Sequence, residues 1–318
     1  MILVTGGLGY IGTHVCLELV KEGYEVIIFD NLHNSSPEAF YVLKEATAEY
    51  DGNLFLEIGD IRNKDILSFM FLKYNISKVI HLAGLKSVND SEDNPDQYED
   101  VNVNGSKVLF DVMNEYNCKH LMFASSASVY GDHGDHAVIE TDKTNPMSNY
   151  ARNKLDIENL ILNNDSISGI ILRIFNPIGT DKERLIGSKL DFGSSNIMPK
   201  ILELEPDDTF VVYGDKHKTA DGSCVRDYVH VFDVARAFAL SIKYIESLDN
   251  DIVFNVGSGV GRSVFELLRL VKEAVGKDIK YIIGDALNGD VDICKCDISK
   301  LKHHMEWRPS PNIINYLY

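Results

Sequence analysis

Tyr150 and Lys154 lie four residues apart in a stretch, 148–162, whose apolar pattern is helical. That spacing places both side chains on one face of a helix. An ammonium group favours the ionised form of a neighbouring phenol, so we expect Lys154, with an oxidised nicotinamide ring, to lower the pKa of Tyr150. A tyrosine of this kind can take the proton of an alcohol during hydride transfer. Ser126, at the end of an apolar run, could bridge the substrate hydroxyl and Tyr150, and completes the candidate catalytic set.

A glycine-rich turn follows the first apolar run and opens a helical pattern. The spacing of its glycines matches two patterns that are typical of dinucleotide-binding turns. The candidate cofactor-binding residues of the turn are Gly6, Gly9, Tyr10, Ile11 and Gly12. Glycines there admit a pyrophosphate to the backbone at a helix N-terminus, where free N–H groups favour anions.

An acidic residue, Asp30, ends the second predicted strand, where a carboxylate can accept hydrogen bonds from the adenosine ribose. The residues that follow it, Asn31, Leu32 and His33, include no arginine for a 2′-phosphate. The pair of features therefore predicts NAD as the cofactor rather than NADP.

These residues must be positioned by alternating strands and helices, which the first half of the chain predicts throughout. Such alternation implies right-handed crossovers and a parallel sheet covered on both faces. We therefore predict an α/β fold with a doubly wound, Rossmann-like parallel sheet and a smaller, partly interleaved α/β substrate domain. The boundaries that we expect are 1–176 for the NAD-binding domain and 177–318 for the substrate domain, with about 229–256 returning to the first sheet.

Two further loops follow predicted strands and should reach the same edge of the sheet. Asp60 and Ile61 follow the third strand, where they could frame the adenine. Leu82, Ala83 and Gly84 follow the fourth, where their small size would let the backbone pass close to the cofactor.

The amino-acid composition limits the classes of partner that the chain can bind. The chain has 318 residues, 45% hydrophobic and 25% charged, with a formal net charge of −17. Such a composition is that of a globular protein, and the acidic balance argues against nucleic acid or an anionic membrane as partner. Five scattered cysteines indicate neither a disulfide framework nor a metal site. Because the start of the chain does not resemble a signal peptide, we expect a cytoplasmic protein. We expect no bound metal ion.

The chain resembles the extended short-chain dehydrogenase/reductase family, and within it the UDP-hexose 4-epimerases, from residue 2 to about residue 309. Beyond the glycine turn and the Tyr150–Lys154 pair, the resemblance is carried by His81-Leu82-Ala83-Gly84-Leu85-Lys86, Asn102-Val103-Asn104-Gly105, Phe175-Asn176-Pro177, Asn196-Ile197-Met198-Pro199, Asp221-Gly222-Ser223-Cys224-Val225-Arg226-Asp227-Tyr228-Val229-His230-Val231 and Asn255-Val256-Gly257-Ser258-Gly259.

The resemblance implies an NAD-dependent isomerase that interconverts UDP-glucose and UDP-galactose through a transient 4-keto sugar. It implies catalysis by Ser126, Tyr150 and Lys154, with the first two also touching the sugar. The residues that it assigns to NAD include Asp30, Asp60, Ile61, Lys86, Asn102 and Phe175. Those that it assigns to the UDP-sugar are Asn176, Asn196, Ile197, Tyr213 and Arg226. Arg226 could grip the diphosphate, or form a domain-packing ion pair with a nearby acid. We expect a homodimer.

Related nucleotide-sugar dehydratases carry Thr-Asp-Glu where this chain has Ser126-Ala127-Ser128, so no acid–base pair is present to eliminate water after oxidation. The alternatives left open are an epimerase of another nucleotide sugar, an oxidoreductase that uses soluble NAD, and a non-catalytic nucleotide sensor of the same fold. Leu287 stands where the family commonly has an arginine on the diphosphate. Cys294 aligns with a tyrosine of members restricted to plain hexoses, so we expect room for N-acetylated sugars as well.

Overall fold

The computed structural model describes residues 1–180, 186, 197–202, 204–205, 207–276, 278–286 and 290–311. Its strands are β1 (Ile2–Thr5), β2 (Glu25–Asp30), β3 (Asn53–Ile58), β4 (Lys78–His81), β5 (His120–Ser126), β6 (Ala137–Val138), β7 (Ser168–Ile174), β8 (Asn176–Ile178), β9 (Phe210–Tyr213), β10 (Val225–His230), β11 (Ile252–Val256), β12 (Gly261–Ser263), β13 (Tyr281–Gly284) and β14 (Ile293–Cys296).

The helices are α1 (Tyr10–Lys21), α2 (Glu38–Ala46), α3 (Lys64–Lys73), α4 (Val88–Asp93), α5 (Pro95–Tyr98), α6 (Gly105–Glu115), α7 (Asn149–Leu162), α8 (Ile197–Leu202), α9 (Val231–Tyr244), α10 (Val264–Val275) and α11 (Ser299–Met305). A π-helical segment, Glu99–Asn104, joins α5 to α6. None of the helices within the described ranges has the length and apolar character needed to span a bilayer.

The largest sheet has seven strands in the order β11-β7-β5-β4-β1-β2-β3, all parallel. Its strands are buried on both faces: Ile2 and Val4 pack in one apolar cluster, whereas Leu3 between them packs in the other. This arrangement confirms the predicted doubly wound α/β fold. The strand order reverses between β1 and β4, and a ligand crevice is expected outside the carboxyl ends of strands at such a point.

A second sheet has the order β12-β10-β14-β6, with β8 paired to the far end of β10. A third apolar cluster lies under this part of the molecule and joins α8, β9 and α10 through residues such as Met198, Phe210 and Leu267. The chain then returns to the large sheet at β11, which lies beside β7. The second sheet and the third apolar cluster together hold Arg226 and its neighbours beside the edge of the seven-stranded sheet.

Candidate functional site

A cavity of about 670 Å³ opens at the carboxyl ends of β1, β2, β4 and β5. Most of the predicted cofactor-binding residues line it. They are Gly6, Gly9, Tyr10, Ile11, Gly12, Asp30, Asn31, Ile61, Leu82, Ala83, Gly84, Lys86, Tyr150, Lys154 and Phe175. The segments that sequence spacing predicted at one sheet edge are therefore brought to one cavity.

The glycine turn is closed against the loop after β4. Gly6 has a φ of 68°, and a Cβ there would lie 2.8 Å from the backbone nitrogen of Ala83. A Cβ at Gly12 would lie 2.2 Å from the carbonyl oxygen of Gly6. Neither position admits a side chain, so the turn brings bare backbone to the start of α1. This cradle suits a pyrophosphate group, which is held by backbone N–H donors at a helix N-terminus.

Asp30 fixes the shape of the turn as well as lining the cavity. Its buried carboxylate accepts hydrogen bonds from the backbone nitrogens of Leu8 at 3.0 Å and Leu32 at 2.9 Å. The Ser35 hydroxyl donates a third at 2.8 Å. A carboxylate has about four lone-pair sites, so acceptor capacity remains for a ribose hydroxyl.

Two residues assigned to NAD by the resemblance, Asp60 and Asn102, are not among the residues that line this cavity. Asp60 accepts hydrogen bonds from Arg62 and from Asn31, and so holds Asn31 at the cavity wall. Asn102 accepts from the backbone nitrogen of Leu85 at 2.7 Å and donates to its carbonyl at 3.1 Å. In this structure both side chains position loops that do line the cavity.

The candidate catalytic residues converge at the inner end of the cavity. The Ser148 side chain caps α7 by accepting from the nitrogen of Ala151 at 3.1 Å, and so fixes where the helix begins. Lys154 is buried, and its Nζ donates to the carbonyl of Ala124 at 2.8 Å. That Nζ lies 5.8 Å from the centre of the Tyr150 ring.

Ser126 lies at the end of β5, close enough to Tyr150 for its hydroxyl to lower the pKa of the phenol against the effect of burial. Ser128 donates to Ser126 Oγ from its own hydroxyl at 2.9 Å. The Ser126 proton is consequently directed away from Ser128. The three catalytic candidates thus occupy one wall of the cavity.

The expected direction of the Tyr150 pKa is wrong for the protein alone. Burial raises the pKa of Tyr150 above its ordinary value, and the hydrogen bond from Ser126 only partly opposes this. Burial also lowers the pKa of Lys154 to about 8, against the opposing effect of Glu158. Sequence spacing shows that Tyr150 and Lys154 are neighbours. It does not show that the effect of burial on their pKa values is larger than the effect of each group on the other.

A second cavity of about 590 Å³ lies beside the first. Its lining includes four of the predicted substrate residues, Asn176, Ile197, Tyr213 and Arg226. Asn196 and Leu287 lie outside the described residues. Cys294 faces Arg226 across β10 and β14, but it is not among the residues that line either cavity.

Arg226 forms the ion pair with a nearby acid that we considered as its alternative role. Its Nη2 pairs with Asp290 and also donates to the carbonyl of Val291 at 2.8 Å, while Nη1 donates to the carbonyl of Val225 at 2.7 Å. Both Arg226 and Asp290 nevertheless line the second cavity. The ion pair and a role in ligand binding are therefore compatible.

The sequence reasoning missed several lining residues. His33, Asn34 and Ser35 line the cofactor cavity beyond Asp30, in a loop without a recognisable motif. Lys200 lines both cavities. Its position three residues after Ile197 on a helix is a signal that could have found it.

In the part of the chain that the structure describes, no group of three or more His, Cys, Asp or Glu side chains is placed to hold a metal ion. A glycine cradle at a switch point, a buried carboxylate with free acceptor capacity and a Ser–Tyr–Lys wall are instead the features of a nucleotide-dependent enzyme of the short-chain dehydrogenase/reductase type.

Comparisons with known proteins agree with that class. Residues 2–257 match the model of the NAD dependent epimerase/dehydratase family, so the chain belongs to this family. Membership confirms the predicted NAD cofactor and the epimerase class.

Individual relatives confirm the resemblance to UDP-hexose 4-epimerases. A UDP-glucose 4-epimerase of Yersinia pestis is 35% identical over 98% of this chain and 94% of its own length. The crystal structure of a UDP-glucose 4-epimerase from Stenotrophomonas maltophila, with bound NAD and formylated UDP-arabinopyranose, has a TM-score of 0.92 at 35% identity, over 99% of this chain and 95% of that chain. One from Bifidobacterium longum, in complex with NAD+ and UDP, has a TM-score of 0.89 at 34% identity, over the same shares of the two chains.

Proposed function

We propose that this protein is an NAD-dependent UDP-hexose 4-epimerase that interconverts UDP-glucose and UDP-galactose. The observation that carries the proposal is the adjacency of the two cavities, with Asn176, Pro177, Lys200 and Tyr213 lining both. A nucleotide in the second cavity can extend its sugar into the first, where Tyr150 and Ser126 lie. The nearby relatives named as UDP-glucose 4-epimerases support this substrate class.

Different parts of the chain would bind the cofactor, bind the nucleotide and transfer the proton. Residues 1–176 would hold NAD through the glycine turn and Asp30, and residues 177–318 would hold UDP through Ile197, Tyr213 and Arg226. Bound NAD would accept a hydride from C4 of the sugar and return it to the opposite face of the 4-keto sugar. Tyr150 takes the proton of the 4-hydroxyl and gives it back, while Ser126 holds that hydroxyl by a hydrogen bond.

The protonation of Lys154 matters for the same step. With a pKa of about 8 it is largely charged at neutral pH, and its charge favours the Tyr150 phenolate. The Lys154 hydrogen bond to Ala124 keeps the ammonium at a fixed place behind the ring. Positions 127–128 hold no Asp–Glu pair that could divert the keto sugar into elimination.

The test is incubation of the purified protein with UDP-galactose and no added cofactor, with the products identified. We expect UDP-glucose to form, and denatured protein to release NAD in near-stoichiometric amount, because the hydride must stay on the enzyme between the two half-reactions. Steady accumulation of NADH would point instead to a net oxidoreductase. Bound NAD and UDP without turnover would point to a nucleotide sensor.

We also propose a cytoplasmic homodimer. All five cysteines are free thiols, as in a reducing compartment. The exposed face of α6 and α7 carries both signs of charge, on Lys107, Asp111, Arg152 and Asp156, which a two-fold copy of the same face can match. Light scattering should give the mass of two chains, and Asp156→Lys should shift it toward one; a wild-type monomer would contradict the dimer.

A further inference from the structure

One charged side chain is placed where the two cavities meet. Of the four described residues that line both, Asn176, Pro177, Tyr213 and Lys200, only Lys200 has a basic side chain. Lys200 is exposed to solvent. A solvated ammonium at the boundary between the two cavities is free to meet an anion that passes from one to the other.

The packing of α8 fixes the direction of Lys200. Met198 and Ile201 are buried to within 1% and join the apolar cluster of the second part of the molecule. Ile197 and Lys200 are three residues apart and so are neighbours on the helix surface, and both line the second cavity. The buried Met198 and Ile201 anchor the helix and so keep the backbone of Lys200 at the cavity.

The other cations of the two cavities are already engaged or lie elsewhere. Arg226 is held by Asp290 and by two backbone carbonyls, and Lys154 donates to Ala124. Lys86 lines the cofactor cavity but not the second one. Lys200, in contrast, has no hydrogen bond or ion pair to any residue that the structure describes.

The second cavity is lined by acidic side chains, so an anionic ligand that binds there needs a cation such as Lys200. Asp208 and Asp290 line the second cavity, and the whole chain has a formal charge of −17. The charge of Arg226 is balanced by Asp290, so a diphosphate beside them needs a further cation.

Taking the proposed function as given, we propose that Lys200 binds the β-phosphate, the phosphate that carries the sugar. The uridine occupies the second cavity and the sugar must reach Tyr150 in the first, so the diphosphate–sugar link crosses the boundary where Lys200 lies. Lys200 is thus a substrate-binding residue, and its ammonium holds the link at the point from which the sugar enters the catalytic cavity.

Calorimetric titration of the NAD-loaded protein with UDP, UMP and uridine tests this assignment. Lys200→Gln should weaken UDP binding about five- to tenfold, as expected for one partly exposed ion pair, and leave uridine unchanged and UMP nearly so. Lys200→Arg should retain UDP binding, and Lys200→Glu should weaken it more than Lys200→Gln does. In turnover, the KM for UDP-galactose should rise with the Kd for UDP, whereas kcat stays within about twofold.

Lys216→Gln is the matched control, because Lys216 is an exposed lysine of the β9–β10 loop that lines neither cavity. It should bind all three ligands as the wild type does. UDP binding by Lys200→Gln equal to wild type would overturn the assignment, and so would an equal loss for UDP, UMP and uridine. Wild-type protein that binds none of the three would contradict the proposed function itself, and the Lys200 assignment with it.

Discussion

Glu158, one helical turn beyond Lys154 on α7, forms a buried ion pair with Arg173 of β7. Arg173 Nη2 donates to Glu158 Oε2 at 2.7 Å and its Nε donates to Oε1 at 3.0 Å. The Ser125 hydroxyl also donates to Oε1, at 2.5 Å. The ion pair therefore ties α7, which carries Tyr150 and Lys154, to β7, and the Ser125 hydrogen bond ties α7 to β5, the strand that ends at Ser126. The Glu158 charge partly offsets the effect of burial on the pKa of Lys154.

Glu158→Gln should move the alkaline limb of the kcat profile to lower pH. Removing the carboxylate removes the one influence that raises the pKa of Lys154, so this lysine loses its proton earlier as pH rises. It also leaves the buried Arg173 guanidinium without its counter-charge, a loss of about 3–5 kcal/mol in unfolding free energy.

The double variant Glu158→Gln/Arg173→Met is the matched control, because it removes both charges. It should recover most of the stability and bring the alkaline limb back toward that of the wild type. An unchanged limb in a folded Glu158→Gln protein would show that the pair supports packing alone.

Tyr150→Phe should lower kcat by about 10²–10⁴-fold, the usual contribution of a general base. Binding of UDP should remain within about threefold of wild type, because UDP lacks the sugar whose proton Tyr150 takes. Stopped assays with UDP-galactose and titration with UDP measure the two quantities. Turnover at the wild-type rate would require another base, and the bound NAD content serves as the check that the cavity is intact.

His81 should make the protein sensitive to acid. It is buried between the side chains of Thr5 and Ser106, at 2.7 and 2.9 Å, and burial, aided by the charge of Lys154, lowers its pKa from 6.5 to about 3. Between those values the unfolded chain binds the proton and the folded one does not. The unfolding free energy should therefore fall as pH drops below 6.5, by up to ~1.4 kcal/mol per pH unit.

Urea unfolding at pH 7.5, 6.5 and 5.5 measures this dependence. His81→Gln should show a shallower fall than the wild type, because the glutamine does not titrate. His303→Gln, at an exposed position, should keep the wild-type slope. Equal slopes for wild type and His81→Gln would assign the acid sensitivity to other groups.

Arg226→Met should weaken UDP binding by about 100-fold. The substitution removes a guanidinium from the second cavity and leaves the Asp290 carboxylate there unpaired, where it repels a diphosphate. Adding Asp290→Asn to Arg226→Met should restore part of the affinity, as titration with UDP would show. No gain from the second substitution would mean that Asp290 lies away from the bound phosphates.

The sequence predicted the parallel sheet, the glycine turn and the Tyr150–Lys154 pair, because each depends on local periodicity or spacing. The apolar pattern over 97–116 is typical of one continuous helix, whereas the structure has the π-helical segment Glu99–Asn104 between α5 and α6. One wider turn hardly alters the apolar pattern, yet it lies where Asn102 holds the loop at Leu85. The pKa of Tyr150 depends on burial by distant segments, which spacing along the chain does not report.

Cys294 carries the last prediction, which concerns the sugar. It pairs in register with Arg226 on the neighbouring parallel strand, so the two side chains leave the sheet on the same face, and the guanidinium lines the second cavity. A thiol there is small, whereas a phenol ring extending from the same place would reach toward the sugar.

We therefore expect the wild type to interconvert UDP-N-acetylglucosamine and UDP-N-acetylgalactosamine as well as the plain UDP-hexoses. Cys294→Tyr should abolish turnover of the N-acetylated pair and spare the plain pair, because a rigid ring excludes more than the ~1–3 kcal/mol of a methylene-sized change. Cys294→Ser is the control of similar volume and should keep both activities. Because Cys294 lies behind the cavity lining, equal loss of both activities in Cys294→Tyr would show that the ring disturbs Arg226, and no change in either would show that it does not reach the sugar.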